Sequence, residues 1–226
     1  MKKPILCYVT DRSALSSPTD ADRLAAILGR IEEVARAGVD WIQLREKDLD
    51  TRSLFELTTK AIAAASAAAN AQTATRILVN DRLDVAWAAR ASGVHTGENS
   101  LPISEVVRWR DQVTSKASAR TICADLLVGA SCHSLEGAAQ AAADGADYIF
   151  FGPVFATPSK QAFGAPQGLL KLAQVCGVVS VPVMAIGGIT TQNAAACIQA
   201  GASGIAAIRL FQQATDLTAL LRQIRS

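Results

Sequence analysis

Residues 126–151 read LLVGASCHSLEGAAQAAADGADYIFF, and this stretch contains one complete repeat of the pattern that runs through the chain. An apolar run ends at the polar residues Ser131 and His133, an alanine-rich segment follows, and a second apolar run ends at Gly152. Short apolar runs bounded by turn residues are typical of buried strands. A strand, a helix and a second strand in this order predict a βαβ unit with two parallel strands.

The same pattern recurs along the whole chain. Eight apolar runs alternate with segments of helical character: ILCYV, WIQL, RILV, GV, LLVGA, DYIFF, VPVMAI and SGIAAI. Alternating strands and helices indicate an α/β fold with a parallel sheet, and eight units predict a closed (β/α)8 TIM barrel. We expect residues 1–226 to form this barrel as a single domain. Helices are predicted over 20–37, 50–70, 82–91, 103–110, 134–144, 166–177, 191–200 and 213–225, with a loop over 111–125.

The composition excludes several classes of function. The net charge of +2 is too small to predict binding to nucleic acid or to an acidic membrane surface, and no apolar run is long enough to span a bilayer. The first apolar run is too short for a signal peptide, so we predict a cytoplasmic protein. The five cysteines form no C-x-x-C pair, which argues against a disulfide framework or a zinc site. The sequence leaves open whether the chain forms a homo-oligomer.

Because active sites of barrels lie at the carboxyl ends of the strands, the polar residues after each run are the candidate site residues. Gln43, Arg45 and Lys47 alternate after the second run, so all three are expected to face the barrel mouth. A guanidinium and an ammonium group suit a phosphate or diphosphate. Glu46 and Asp48 are expected to face away. The alternative is a strand end where these two carboxylates form ion pairs with the two cations.

The third run ends at Asn80 and Asp81. A carboxylate and an amide at a strand end can hold Mg²⁺ and orient a polyphosphate, which predicts a metal site at Asp81. Asn and Asp also favour helix N-caps, and capping is the alternative role. Arg82 and Asp84 could form a surface ion pair.

The segment GASCHS offers an anion contact and a proton-transfer group. Ser131 at the strand end can bind an anion, and His133 can act as a general acid or base because the usual histidine pKa is near neutrality. Ser134 is expected to cap the following helix. Cys132 could be a nucleophile, but a base next to it in sequence need not face it in space. His133, like His95, could also be a packed or capping residue.

A further group follows the last two runs. Gly187 and Gly188 can let a phosphate approach the backbone closely, and the loops after strands seven and eight are the usual phosphate site of this fold. A helix that begins at Thr190 or Thr191 would add oriented N–H groups. Arg209 would add a cation to the same pocket.

Residues 156–167 lack helical or strand periodicity and contain two prolines and a glycine, so we expect a long loop over the mouth. Lys160 on this loop could bridge the two anion-binding regions, one around Lys47 and Asp81 and the other around Arg209. Two phosphorylated small molecules, one of them a diphosphate with Mg²⁺, would fill such a mouth.

Seven segments, in order along nearly the whole chain, resemble the thiamine phosphate synthase family. They are YVTD (8–11), QLREK (43–47), NDRLD (80–84), GVHTG (93–97), GASCHS (129–134), FGPVFATPSK (151–160) and AIGGI (185–189). Members of this family are (β/α)8 barrels that join a hydroxymethylpyrimidine diphosphate to a thiazole phosphate, giving thiamine phosphate and pyrophosphate. The resemblance implies a transferase of thiamine biosynthesis with Mg²⁺ as its cofactor.

The resemblance also implies roles for individual residues. The pyrimidine diphosphate would be bound by Gln43, Arg45, Lys47, Asn80, Ser131 and Lys160. The thiazole phosphate would be bound by Thr157, Ser159, Gly187, Gly188, Ile208 and Arg209. Asp81 would bind Mg²⁺, and catalysis would fall to Lys160, Ser131 and His133.

Two departures from the family pattern keep other functions open. The family usually has an aspartate, its second Mg²⁺ ligand, where this chain has Ser100, with Glu98 as the nearby carboxylate. It usually has a serine where this chain has Arg209. A sister family, the thiazole tautomerases, shares the barrel and lacks parts of the diphosphate and metal site, and His133 matches its proton-transfer histidine. A non-catalytic protein that binds thiamine precursors is the third alternative. Because Arg45 and the other diphosphate-site residues are present, we predict the synthase.

We predict that Lys160→Ala strongly reduces turnover and leaves the fold intact. In the mechanism that the resemblance implies, the C–O bond to pyrophosphate breaks, and fixed cations stabilise the departing negative charge. The loss of one such contact typically lowers the rate by about 10²–10³-fold. Steady-state coupling assays with matched circular dichroism spectra measure both properties. Turnover close to that of the wild type would remove Lys160 from the site.

Overall fold

The computed structural model describes residues 3–16, 19–69, 74–115, 126–157 and 165–225. Eight strands of these residues form a closed barrel in chain order, and every neighbouring pair is parallel. The strands are β1 (Ile5–Val9), β2 (Trp41–Leu44), β3 (Arg76–Asn80), β4 (Gly93–Thr96), β5 (Leu127–Cys132), β6 (Tyr148–Phe151), β7 (Val183–Ile186) and β8 (Gly204–Ala207). The (β/α)8 fold predicted from the sequence is confirmed.

Helices alternate with these strands. They are α1 (Asp20–Arg36), α2 (Thr51–Ala68), α3 (Leu83–Ala88), α4 (Ile103–Thr114), α5 (Leu135–Ala143), α6 (Gly168–Val178), α7 (Ala194–Gln199), α8 (Arg209–Gln212) and α9 (Leu217–Arg225). A short 3-10 helix, Arg12–Ala14, follows β1. Among the described residues, none of these helices combines the length and apolar character needed to cross a membrane.

The barrel closes where the last strand pairs with the first. Ile5 pairs with Gly204, and Tyr8 pairs with Ala207. A Cβ atom at Gly204 would lie 2.0 Å from the carbonyl oxygen of Ile5, so glycine is the residue that lets the two backbones approach this closely. Closure leaves no free edge strand and brings the carboxyl ends of all eight strands to one rim.

Side chains alternate between the inside and the outside of the barrel along each strand. The inward-facing cluster fills the barrel and consists of Cys7, Val9, Trp41, Leu78, Tyr148, Phe150, Met184 and Ala206. Outward-facing residues such as Leu6, Ile42 and Ile149 belong to the larger core between the sheet and the helices. Because the barrel interior is packed, space for a ligand lies at the rim.

Side chains cap α2 and α5, and one of these caps, Ser134, is predicted from the sequence. The Asp50 carboxylate accepts a hydrogen bond from the Ser53 N–H at 3.0 Å, so Asp50 caps α2 and Thr51 is its first residue. The Ser134 hydroxyl oxygen accepts one from the Gly137 N–H at 3.0 Å and caps α5. Each cap satisfies an N–H group that has no partner within the helix.

Several predicted boundaries were wrong. Helix α3 ends at Ala88 and not at residue 91, and α9 begins at Leu217 and not at residue 213, after the separate short helix α8. Helix α4 continues to Thr114, into the segment predicted as a loop. Helix α7 begins at Ala194 and not at Thr190 or Thr191, because the Asn193 side chain accepts the Thr190 N–H at 2.8 Å and donates to the Gly188 carbonyl at 2.9 Å. These bonds hold residues 190–193 as a turn. Most of the loop predicted over 156–167 lies outside the described residues.

We expect Gly129→Ala to destabilise the barrel. A Cβ atom at Gly129 in β5 would lie 2.0 Å from Cζ of Tyr148, which is buried and hydrogen-bonded to His95. Overpacking of this kind typically lowers the free energy of unfolding by about 1–3 kcal/mol. The control is Gly29→Ala in α1, where a Cβ meets no atom within 4 Å. This change should raise the free energy of unfolding by about 0.5–1 kcal/mol. Urea unfolding measures both, and equal stability of the two variants would contradict the packing argument.

Candidate active site

A cavity of about 260 Å³ opens at the carboxyl ends of the strands. Six of the predicted site residues line it: Arg45, Thr157, Gly187, Gly188, Ile208 and Arg209. Apolar side chains of Val9, Ile186 and Ile189 form much of the remaining wall. A mostly apolar cavity with two guanidinium groups suits a small molecule that carries an apolar ring and an anionic group.

The glycine turn after β7 has a backbone conformation that L side chains rarely adopt, since φ is +96° at Gly187 and +65° at Gly188. Each glycine also contacts the loop after β6 closely. A Cβ atom would lie 2.6 Å from Cα of Pro153 at the first position and 2.6 Å from the carbonyl oxygen of Ala156 at the second. The double glycine is thus needed to pack two loops of the rim together, and it keeps this wall of the cavity free of side chains.

Arg209 links the loops after β6 and β8. It is the first residue of α8, and its Nη2 donates a hydrogen bond to Oγ1 of Thr157 at 3.2 Å. The other end of α8 is anchored by Arg30, whose Nε donates to the carbonyl oxygen of Phe211 at 3.0 Å. The guanidinium of Arg209 is therefore held at the cavity, as the sequence predicts for an anion-binding cation.

A second cavity, of about 240 Å³, lies where β2 and β3 end. Lys47, Asn80 and Asp81 line it, which brings together three residues that were predicted to act on one ligand. Gln43 is buried beside them, and its Nε2 donates to Oδ1 of Asn80 at 3.4 Å. Glu46 and Arg82 line the same space, which therefore holds two cations, two carboxylates and an amide.

Arg45 and Lys47 both lie at the barrel mouth, but they line different cavities. Arg45 lines the first cavity, and Lys47 lines the second. Strand β2 ends at Leu44, and the chain turns at Lys47–Asp48, so the alternation of a strand no longer governs the direction of these side chains. The two cations therefore line different cavities, although only Glu46 separates them in the chain.

Asp81 is held by three hydrogen-bond donors. Its Oδ1 accepts from the Gly97 N–H at 3.2 Å and from the Ser100 hydroxyl, and its Oδ2 accepts from Nδ2 of Asn80 at 2.7 Å. The alternative capping role is not seen, because the N-cap of α3 is Arg82 and no side chain caps that helix. The residue that replaces the family's second carboxylate, Ser100, therefore donates to the first one.

Among the described residues, no group of three or more His, Cys, Asp or Glu side chains could hold a metal ion. The oxygens near the second cavity come from one carboxylate, Asp81, with the Asn80 amide and the Ser100 hydroxyl beside it. Mg²⁺ commonly binds through one or two carboxylates while keeping waters and substrate phosphate oxygens as its other ligands. The donor set fits an ion shared with a phosphorylated ligand and does not form an all-protein cage.

Ser131 is linked to the barrel interior through His95. His95 Nε2 lies 2.9 Å from the Ser131 hydroxyl, and Nδ1 lies 3.1 Å from the Tyr148 hydroxyl. Burial, the largest cause, raises the pKa of Tyr148 well above its usual value, so the phenol stays protonated. The sequence allows either a packing or a chemical role for His95, and the structure shows it buried, with its ring fixing the direction of the Ser131 side chain.

His133 and Cys132 differ in the chemistry that their side chains can perform. His133 is half-buried, and its Nδ1–H donates to the carbonyl oxygen of Gly152, the residue after β6. Cys132 is buried, and burial followed by the charge of Glu98 raises its pKa to about 12. A thiol of this kind carries almost no thiolate at neutral pH, so Cys132 does not qualify as a nucleophile.

The alternative in which Glu46 and Asp48 form ion pairs with Arg45 and Lys47 is not observed. Both carboxylates instead bind Arg12, with 3.3 Å from its Nη1 to Glu46 and 2.5 Å to Asp48. The hydrogen bonds from Arg12 lower the pKa of Asp48. Within the described part of the chain, neither Arg45 nor Lys47 forms an ion pair.

Sequence reasoning missed three site residues in the loop after β1. Thr10 is fully buried, and its Oγ1 accepts the Arg45 N–H at 3.0 Å. Asp11 lines the first cavity, and Arg12 binds the loop after β2. Their position directly after an apolar run was the available signal. Ser159 and Lys160 lie outside the described residues, so their roles stay predictions.

The pattern of the protein family described as thiamine monophosphate synthase matches residues 14–211. The chain belongs to this family. A thiamine-phosphate synthase of Methanoculleus marisnigri is 41% identical over 220 residues, which cover 97% of this chain and 93% of that protein. One of Chloroflexus aurantiacus is 39% identical over 196 residues, which cover 87% of this chain and 82% of that protein.

Solved structures agree with this assignment. The thiamine phosphate pyrophosphorylase of Pyrococcus furiosus superposes with a TM-score of 0.75 at 30% identity, covering 98% of this chain and 93% of that chain. A 3-hexulose-6-phosphate synthase superposes with a TM-score of 0.66 at 19% identity, with 98% of each chain covered, which shows the shared barrel fold alone.

The comparisons confirm the family, the synthase assignment and the transferase class that the sequence predicts. None of the proteins named above is an isomerase, so nothing here favours the tautomerase alternative. The roles of individual site residues and the use of Mg²⁺ are separate questions, and the geometry of the rim bears on them.

Proposed function

We propose that this chain joins a hydroxymethylpyrimidine diphosphate to a thiazole phosphate at the barrel rim and releases pyrophosphate. The observation that carries the proposal is a pair of cavities at the rim, lined by the consecutive residues Arg45 and Glu46, each with its own anion-binding groups. One has the glycine turn with Arg209, and the other has Lys47 with Asn80 and Asp81. A coupling enzyme needs two phosphorylated ligands held next to each other, and this rim offers a place for both.

The thiazole phosphate is assigned to the first cavity. Its apolar walls suit the ring, and the open backbone of Gly187 and Gly188 together with Arg209 suits the phosphate. Thr157, whose hydroxyl accepts from Arg209, lies beside the same group, and the predicted contact of Ser159 belongs to the same loop. The predicted backbone contact at Ile208 fits as well, since that residue lines the cavity.

The pyrimidine diphosphate is assigned to the second cavity and the space between the two. Lys47 and Asn80 would bind its phosphate oxygens, Gln43 orients Asn80, and Ser131 would contact the ligand from β5. Arg45, on the neighbouring cavity, is placed between the two ligands. Lys160 would complete the set of cations from the loop after β6.

The reaction forms a C–N bond between the thiazole nitrogen and the pyrimidine methylene carbon, and the electron pair of the broken C–O bond leaves with pyrophosphate. Fixed cations near the leaving group lower the barrier because they bind the departing charge more strongly than the bound substrate. Asp81 would hold Mg²⁺ jointly with the diphosphate, and the ion would supply further charge neutralisation there. Asn80, Gly97 and Ser100 orient that carboxylate.

The partners proposed for this chain are small phosphorylated molecules. The cytoplasmic location, the absence of nucleic-acid and membrane partners and the question of a homo-oligomer stay at the level of predictions from the sequence.

Incubation of the wild-type protein with both substrates and Mg²⁺ should produce thiamine phosphate and pyrophosphate, measured by chromatography. We expect His133→Gln to slow this coupling only modestly, because pyrophosphate departure needs fixed cations more than a proton-transfer group. A tautomerase would instead lose about 10²–10⁴-fold in rate without its general acid–base residue. If the wild type isomerises a thiazole substrate in a His133-dependent way and never couples, the proposed function is wrong.

Ser100→Asp should lower the Mg²⁺ concentration needed for half-maximal coupling. The change adds a second carboxylate beside Asp81 and removes the hydroxyl that now donates to it, and carboxylate oxygens are preferred ligands of this cation. Ser100→Ala is the matched control, since it removes the donor without adding a charge. Equal Mg²⁺ dependence in all three proteins would show that residue 100 does not influence the metal.

A further inference from the structure

The loop after β2 carries four consecutive charged residues of alternating sign, Arg45, Glu46, Lys47 and Asp48. Opposite charges this close in a chain tend to pair, and a paired cation attracts an anionic ligand less strongly. In the structure both carboxylates bind Arg12, although Glu46 still forms part of the wall of the second cavity, and the two cations line the cavities without an ion pair among the described residues. The local separation of charge therefore depends on a residue outside the loop.

Arg12 is built into the rim and engages both carboxylates at once. Its backbone N–H donates to Glu46 at 3.1 Å and 3.3 Å to the two carboxylate oxygens, and its Nη1 donates to the same group at 3.3 Å. The guanidinium also forms a two-pronged pair with Asp48, at 2.5 Å from Nη1 and 2.9 Å from Nη2. The side chains of Arg12 and Glu46 are 5% and 2% exposed, so water competes little for these bonds.

We propose that Arg12 is a positioning residue for the coupling reaction: it sequesters Glu46 and Asp48 and thereby keeps Arg45 and Lys47 free for the phosphorylated substrates. The inference rests on the proposed function for its substrates. Arg12 lines neither cavity and acts through the loop.

Comparison with lysine explains why this position needs arginine. The forked guanidinium reaches two carboxylates in a fixed geometry, whereas a lysine ammonium is a single point charge. Asp48 is 71% exposed in its side chain, so without the fork it is free to swing toward Lys47. Glu46 is buried and would seek the nearest remaining cation, because an unpaired buried carboxylate is costly.

The test is a cycle of four proteins: the wild type, Arg12→Met, the double variant E46Q/D48N, and the triple variant that combines all three changes. Calorimetry with inorganic pyrophosphate and Mg²⁺ measures the affinity for the leaving group, and coupling assays give kcat and KM. We expect Arg12→Met to weaken pyrophosphate binding and to lower kcat by about 10–100-fold, as changes to residues that orient ligand-binding groups do. The triple variant should recover most of that loss.

The cycle separates sequestration from a general effect of charge. Neutralising the two carboxylates should improve pyrophosphate binding far more in the Arg12→Met background than in the wild type, where Arg12 already engages them. An equal gain in both backgrounds, or no loss in Arg12→Met, would overturn the proposal. If Arg12→Met does not fold, Arg12→Lys with and without E46Q/D48N gives the same comparison, and no recovery there would also overturn it.

Arg110→Met is the matched control for the loss of a partly buried ion pair. Arg110 binds Asp147 at 2.6 Å, next to the amino end of β5 and away from the mouth. We expect Arg110→Met to lower the unfolding temperature and to leave pyrophosphate affinity and kcat unchanged. If Arg12 had only a structural role, Arg12→Met would give this same result. If the wild type does not couple the two substrates, the proposed function is wrong. The pyrophosphate titrations would still test the role of Arg12.

Discussion

The pairing of β8 with β1 is the constraint on which the rest of the molecule depends. An open parallel sheet would present its strand ends along a line, whereas closure arranges them as a ring. The contact at Gly204 and Ile5 permits that closure, because any side chain at this glycine would meet the facing backbone. Residues separated by most of the chain, such as Asp11 and Arg209, consequently line one cavity.

The ring also explains how a rim with both acidic and basic residues can attract phosphorylated ligands. Several of its carboxylates already accept hydrogen bonds from the protein: Asp11 from Ser13, Asp81 from Ser100 and its neighbours, and Glu46 from Arg12. Such bonds stabilise the charged carboxylate and spread its charge. The cations Arg45 and Lys47 have no comparable ion pair among the described residues, so the field at the mouth favours anions.

Local periodicity explains how much of this could be read from the sequence. Apolar runs and alanine-rich segments give the order of strands and helices, and the position of a polar residue at the end of a run predicts its place on the rim. The Gly187–Gly188 turn, Arg209, Asn80 and Asp81 were found in this way. The identity of the substrates came from the family resemblance, because the apolar runs carry no information about it. The start of α7 was predicted wrongly because the Asn193 side chain holds a turn through its hydrogen bonds, and helical periodicity carries no information about such bonds.

Contacts between loops that follow different strands could not be predicted either, because local periodicity carries no information about them. Alternation predicts one direction for Arg45 and Lys47, yet it ceases to hold beyond Leu44, where the strand ends and Glu46 binds Arg12 of the loop after β1. Ser100 is a second example. The sequence predicts a lost metal ligand at this position, but in the fold its hydroxyl donates to Asp81, which also accepts from Asn80 and Gly97. A second carboxylate at that position would repel the first unless a cation lay between them. The Mg²⁺ site proposed at Asp81 therefore depends on ligand oxygens from the phosphorylated substrate as well as on the protein.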